Sequence, residues 1–124
     1  MTNRLIKEWV AICELRGDLP FLSNENDSWS YLELANALSS FQKDIDNIDP
    51  SICMIEGDYS LESIAWLIVG LCNGWQMVPV VSQNPIVIQS RQDISKALFT
   101  ASIKNDWRMC PIDVKEVRAN NNLD

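Results

Sequence analysis

Between Ser51 and Val81 the chain carries a segment that leaves few folds open. Ser51 to Glu56 is a short, largely apolar run, Leu61 to Asn73 a longer one, and Trp75 to Val81 a third. In the middle run only Glu62, Ser63 and Asn73 are polar. A helix apolar nearly all round has to be covered on more than one side. Its neighbours are short and bounded by turn residues, with Asn47 to Pro50 before them, Gly57 to Ser60 between and Asn73-Gly74 after the helix. They read as buried strands. Strand, helix, strand with apolar strands predicts a βαβ crossover and a parallel sheet. A membrane span fails on length. Ile64 to Cys72 is nine residues without a polar side chain, where a span needs about 20, and Asn73, Gly74 and Pro79 interrupt the apolar stretch beyond it.

The rest of the chain is read outward from that unit. Leu5, Trp9, Ile12 and Cys13 share one helical face, predicting an amphipathic helix over 3–16 that Gly17 ends. Pro20 to Ser23 reads as a strand, and Asn24 to Asp27 as a turn into Trp29, together a hairpin. Ser30-Tyr31-Leu32-Glu33 has the form of a capping box, and Leu34, Leu38, Phe41 and Ile45 continue a buried stripe behind it. Asp58 or Ser60 caps the central helix. After Pro85 the sequence predicts an extended Ile86-Val87-Ile88. A helix from Ser90 to Lys104 comes next, lined by Ile94, Ala97, Leu98 and Ala101, and then a third strand from Trp107 to Ile112. The expected fold is α/β, a mainly parallel sheet with βαβ crossovers, preceded by a helix and a short hairpin. Residues 1–118 form one domain, and 119–124, with three consecutive asparagines, are expected to be a mobile tail.

Three of these stretches also resemble, in the same order, the opening of the AMP-forming adenylating enzymes, the superfamily of acyl- and aryl-CoA ligases, peptide-synthetase adenylation domains and luciferase. Trp29-Ser30-Tyr31-Leu32-Glu33-Leu34-Ala35-Asn36-Ala37-Leu38 is similar to the family's T-Y-x-E-L-x-x-x-A-x-x-L-A, with Tyr31, Glu33 and Leu34 in register. Ile52 to Gly74 resembles its strand, loop and apolar helix, with Asn73-Gly74 where the family usually has Ala-Gly. Met77-Val78-Pro79-Val80-Val81 with Asn84-Pro85 resembles V-x-V-P-L-x-P, two residues longer before the last proline. The resemblance covers about three quarters of the chain and rests on scaffold motifs. It implies the N-terminal subdomain of an acid–thiol ligase. The complete enzyme would use ATP and Mg to form an acyl-adenylate, then pass the acyl group to the thiol of CoA or a carrier protein. The family's Gly-rich phosphate loop ending in Pro-Lys needs clustered glycines. Gly17, Gly57, Gly70 and Gly74 never cluster that way, so no catalytic, cofactor-binding or metal residue is carried over to this chain.

Composition narrows the remaining classes. The absence of histidine excludes Ser–His and Cys–His catalysis. Cys13, Cys53, Cys72 and Cys110 lie at long spacings in apolar runs, which favours reduced core thiols over a zinc site. The net charge is −7, with 12 acids against 4 bases through Pro85, so nucleic-acid binding is not expected. Charges at Arg4, Lys7 and Glu8 break any signal-peptide core, and a cytoplasmic location is the default expectation. Glu56 and Asp58 come after a parallel strand at its C-terminal end, where open α/β sheets bind ligands, although a helix cap is the simpler role for Asp58. The leading functional expectation is a truncated ligase subdomain, inactive alone. The alternative is a stand-alone interaction protein on the same fold, docking a ligase or carrier protein, and a flavodoxin-like nucleotide domain is weaker for want of a phosphate loop. Either leading reading predicts self-association or a protein partner over an apolar surface around Ile64, Trp66 and Leu67 and the adjoining sheet face. The competing expectation is that the first helix covers that surface through Leu5, Trp9 and Ile12.

Overall fold

The computed structural model describes residues 3–81 and 84–112, so the expected tail at 119–124 lies outside the described residues. The elements are α1 (Arg4–Arg16), β1 (Pro20–Ser23), β2 (Ser28–Ser30), α2 (Tyr31–Ile45), β3 (Ile52–Glu56), α3 (Leu61–Cys72), β4 (Gln76–Val80), α4 (Pro85–Ser95) and β5 (Phe99–Ser102). A 3₁₀ turn (Ile103–Asn105) and β6 (Cys110–Pro111) complete the order. β1 and β2 form the antiparallel hairpin, and the main sheet has the order β4-β3-β5-β6. β3 runs parallel to β4 from Ile52↔Gln76 to Glu56↔Val80, and parallel to β5 from Cys53↔Phe99 to Glu56↔Ser102. Only β6 is antiparallel among the described strands of this sheet. The α/β expectation, with its parallel β3–α3–β4 unit, is the arrangement the chain adopts.

Local chemistry accounts for the helix starts. The Ser30 hydroxyl accepts from the Glu33 N–H at 3.1 Å, relieving one of the orphan donors at the start of α2. A reciprocal capping box forms one helix later. Ser60, rather than Asp58, caps α3, accepting from the Ser63 N–H at 3.2 Å while the Ser63 hydroxyl accepts from the Ser60 N–H at 2.8 Å.

Beyond Asn84 the observed order differs from the sequence reading. Ile86-Val87-Ile88 is helical, because the Asn84 side chain accepts from the Ile86 N–H at 2.9 Å and Pro85 fills the first helical position, where its missing donor is harmless. The helix stops at Lys96 in the left-handed region, not at Lys104. Ala101, assigned above to a helix face, sits fully buried in β5, the third parallel strand. Trp107 to Ile112 contributes only the two residues of β6.

Alternation along the strands divides the core. Cys53, Ile55 and Ala101 face the layer of α1, α2 and α3. Met54 and Val80 face the other way, with Ala97, Ile52, Val78 and Ile88. β4 borders the sheet among the described residues. The Gln76 N–H donates to the Ser51 carbonyl and the Gly57 N–H to the Val80 carbonyl, both at 2.9 Å. Gln76 and Val80 thus turn their backbone groups toward β3, and Pro79, the residue before Val80, turns its own to the open side.

α1 uses a different face from the one expected. Ile6 and Cys13 are buried and Val10 packs beside them, while Leu5, Trp9 and Ile12 are 51%, 40% and 51% exposed. Both sets have helical spacing. Contact with α2 selects the Ile6 set.

Candidate functional site

The site anticipated at the end of β3 is built from strand alternation. Glu56, Thr100 and Ser102 fall on the same sheet face at its C-terminal end, since Glu56 is opposite Ser102 and Thr100 is two residues earlier on β5. The Thr100 hydroxyl donates to the Glu56 carboxylate. Asp58 is exposed to solvent and stands apart from this cluster. Gly57 makes the turn at φ 131°, a conformation that only glycine adopts readily. Directly above it lies the indole of Trp107: a Cβ at position 57 would be 3.4 Å from Trp107 Cη2. The result is a carboxylate and two hydroxyls at a strand end, with an aromatic lid over the adjoining turn. It holds no group of three or more metal-ligating side chains, and neither does any other place among the described residues.

The residues singled out as an interface are placed unevenly. Trp66 has no exposed surface. Its ring stacks on Phe41, with centroids 4.3 Å apart and planes 7° from parallel, and its Nε1 donates to the Trp107 carbonyl at 2.5 Å. Ile64 and Leu67 are half-buried. The cover over α3 is therefore α2, through Phe41, and the α1 stripe Leu5–Trp9–Ile12 has no part in it. Trp66 is a core residue and cannot meet a partner here. Exposed apolar side chains include Leu71, 66% exposed near the end of α3, Leu5, Trp9 and Ile12 on α1, and Ile86 and Ile94, 79% and 77% exposed, on α4.

One polar constellation was not visible in sequence. The Asn73 amide N–H donates to Gln42 Oε1 at 2.7 Å, and Gln42 Nε2 returns a bond to Asn73 Oδ1 at 3.1 Å. Gln42 also donates to Asp46 at 2.7 Å. Asn3 Nδ2 reaches Asn73 Oδ1 at 3.1 Å and the Cys72 carbonyl at 3.0 Å. The cluster ties the start of α1, the end of α2 and the end of α3. Its only sequence signal was Asn73 itself, polar where the similar motif has alanine. Beside it a groove of about 480 Å³ runs between α1 and α2, floored by Ile6, Val10 and Ala11 and edged by Lys7, Lys43 and Glu14. Gln42, the buried polar side chain of this groove, spends both its amide protons on Asp46 and Asn73 and accepts from Asn73 through Oε1, so it offers a ligand no donor.

The four cysteines are unpaired. Burial pushes the Cys53 thiol up to about 12, with Glu56 adding to the rise, and burial also raises Cys13 and Cys72. Such thiols stay protonated and behave as small apolar side chains. No described helix is long and apolar enough to cross a membrane.

No protein-family model matches the sequence, and no curated protein matches it. Solved structures do. The N-terminal subdomain of Klebsiella oxytoca NpsA, in complex with 3-hydroxyanthranilyl-AMSN, matches with a TM-score of 0.62 at 24% identity, over 79% of this chain and 26% of that one. IdnL1 matches with a TM-score of 0.62 at 20% identity, over 82% of this chain and 22% of that one. The same NpsA subdomain with anthranilyl-AMSN gives 0.59 at 23% identity, over 82% and 28%. The chain spans about a quarter of the length of these structures. The likeness is one of fold: the α/β arrangement is similar to the N-terminal subdomain of adenylate-forming enzymes.

Proposed function

We infer that the chain is the N-terminal segment of an AMP-forming carboxylate ligase and serves there as scaffold rather than as chemistry. The observation that carries this reading is the fold shared with the NpsA N-terminal subdomain over 79% of the chain, in agreement with the order of its capped helix, βαβ unit and proline-bearing strand. In the complete ligase an acid and ATP, with Mg, would give an acyl-adenylate and pyrophosphate, and the acyl group would then pass to the thiol of CoA or a carrier protein.

The described residues of this chain do not fit the phosphates or the metal. Gly17 ends α1, Gly57 turns below Trp107, Gly70 lies against Met77 inside the fold and Gly74 comes after α3. Each glycine is taken up by the scaffold, and none contributes to a cradle of successive backbone donors. No step of the reaction is therefore assigned to a residue here. The segment supplies, on this reading, one closed face of the sheet together with apolar side chains, on α1 and α4, against which further protein packs.

Isothermal titration of the chain with ATP and Mg tests the reading. Heats at the level of dilution are expected. Micromolar binding would overturn the scaffold role, because it would require a nucleotide site within these residues.

A further inference from the structure

The segment between β5 and β6 is held in an unusual way. Asp106 and Trp107 adopt φ values of 52° and 58° in succession, a region that disfavours side chains other than those of glycine, asparagine and aspartate, and a bulky aromatic most of all. Such strain persists only where the surroundings over-determine it. Two of the backbone bonds here are internal to the segment, Asp106 N–H to the Ile103 carbonyl at 3.1 Å and Arg108 N–H to the Asn105 carbonyl at 3.0 Å, and a third joins Trp107 N–H to the Ser102 carbonyl at 2.8 Å. The remaining hold is the bond from Trp66 Nε1 to the Trp107 carbonyl, with the half-buried Trp107 and Met109 packed on the core below. Ile103, Lys104, Asp106 and Arg108 face solvent.

We propose that residues 103–109 form a strap that opens as a unit over the C-terminal end of β3, and that the buried Trp66 indole is the latch that keeps it shut. The chemistry is a balance of two opposed demands. Trp66 Nε1–H sits in an apolar layer and needs an acceptor, since an unpaired buried donor is destabilising. The acceptor is presented only when Trp107 takes a strained backbone conformation. Opening relieves the strain and orphans the indole, whereas closing does the reverse, so the strap belongs to the least protected part of the fold. Closed, the Trp107 ring lies on Gly57. Open, it uncovers the turn after β3 at Gly57, on the helical face of the sheet, whereas the Glu56–Thr100 pair lies on the other face beside Met54.

Amide hydrogen exchange on the full chain tests this with two substitutions. Trp66→Phe retains an aromatic ring beside Phe41 but removes the indole donor together with part of the ring volume, so exchange across 103–109 should rise at least tenfold while α2 and β3 keep most of their protection. Asp106→Val places a β-branched residue at φ 52° without touching a core side chain, adds strain, and should speed exchange in the same segment several-fold. Unchanged rates at 103–109 in Trp66→Phe would overturn the latch. So would acceleration spread evenly through α2 and α3, which would mark Trp66 as packing alone. Unchanged or slower exchange in Asp106→Val would overturn the strained, two-state strap.

Discussion

The two faces of the sheet are built by different means. On one, α1, α2 and α3 stack into a layer that contains a fully buried tryptophan, a parallel ring stack and a polar cluster joining three helices. On the other, α4 is the one described helix over Met54 and Val80, with Ile112 beside it, and it leaves Ile86 and Ile94 mostly in water. The first face is closed by contacts that specify one arrangement. The second is closed by apolar area that several arrangements could satisfy. Packing of interlocking shapes with satisfied polar groups gives a unique structure, whereas unpatterned apolar contact gives affinity without uniqueness.

The sharpest way to break the contrast is Trp66→Ala. It removes a side chain with no exposed surface, together with its stack on Phe41 and its bond to Trp107. A loss of about 3–5 kcal/mol in urea unfolding is expected. A loss below about 1 kcal/mol would mean that the helical layer is no better specified than the α4 face. Gln42→Ala probes the polar part of that layer. It leaves one of the two Asn73 amide protons without its acceptor, the other keeping the Val69 carbonyl, for an expected loss of about 1–3 kcal/mol. In a double-mutant cycle with Asn73→Ala the two changes should be clearly non-additive, and additivity would show that the cluster is not one unit. The smallest effect is expected at Ile94→Ser on α4. Removing an apolar side chain already 77% exposed should change stability by no more than about 0.5 kcal/mol. A large loss there would mean that α4 is held more firmly than its exposure implies.

The same contrast explains how far the sequence could be read. Residues 28–81 obey local rules that agree with one another. Ser30 and Ser60 cap helices, Pro50 and Gly57 bound β3, and Gly74 comes after a helix with almost no polar face, so both the βαβ unit and its parallel sheet were legible. After Asn84 the local rules conflict. Three β-branched residues at 86–88 favour a strand, Ser90 and Asp93 imitate caps, and the weaker signal of Asn84-Pro85 prevails because a helix covers Met54 and Val80. On α1 two apolar sets share helical spacing, and sequence alone does not say which one meets α2. Of Ile64, Trp66 and Leu67, Trp66 alone is fully buried, for a related reason: the partner that covers it is Phe41, 25 positions earlier by chain number, and periodicity carries no information about which helix lies across which. The Asn3–Gln42–Asn73 cluster joins positions 70 and 31 residues apart and was out of reach of any local pattern. At the strand end, Glu56 was found from topology, but Thr100 required the correct placement of β5.

Pro79 has a consequence for the behaviour of the chain in a crowded solution. A free sheet border offers a row of alternating donors and acceptors that a strand from any other chain can match. β4 is five residues long, and the proline near its end removes one donor from the outward row while leaving the bonds to β3 intact. An incoming strand would have to leave one of its own carbonyls unmet at that point. The residue that marks the end of the βαβ unit thus also acts as a guard against cross-β stacking, and Pro79→Val would restore the missing donor to the open edge while leaving the backbone bonds of Gln76 and Val80 to β3 in place.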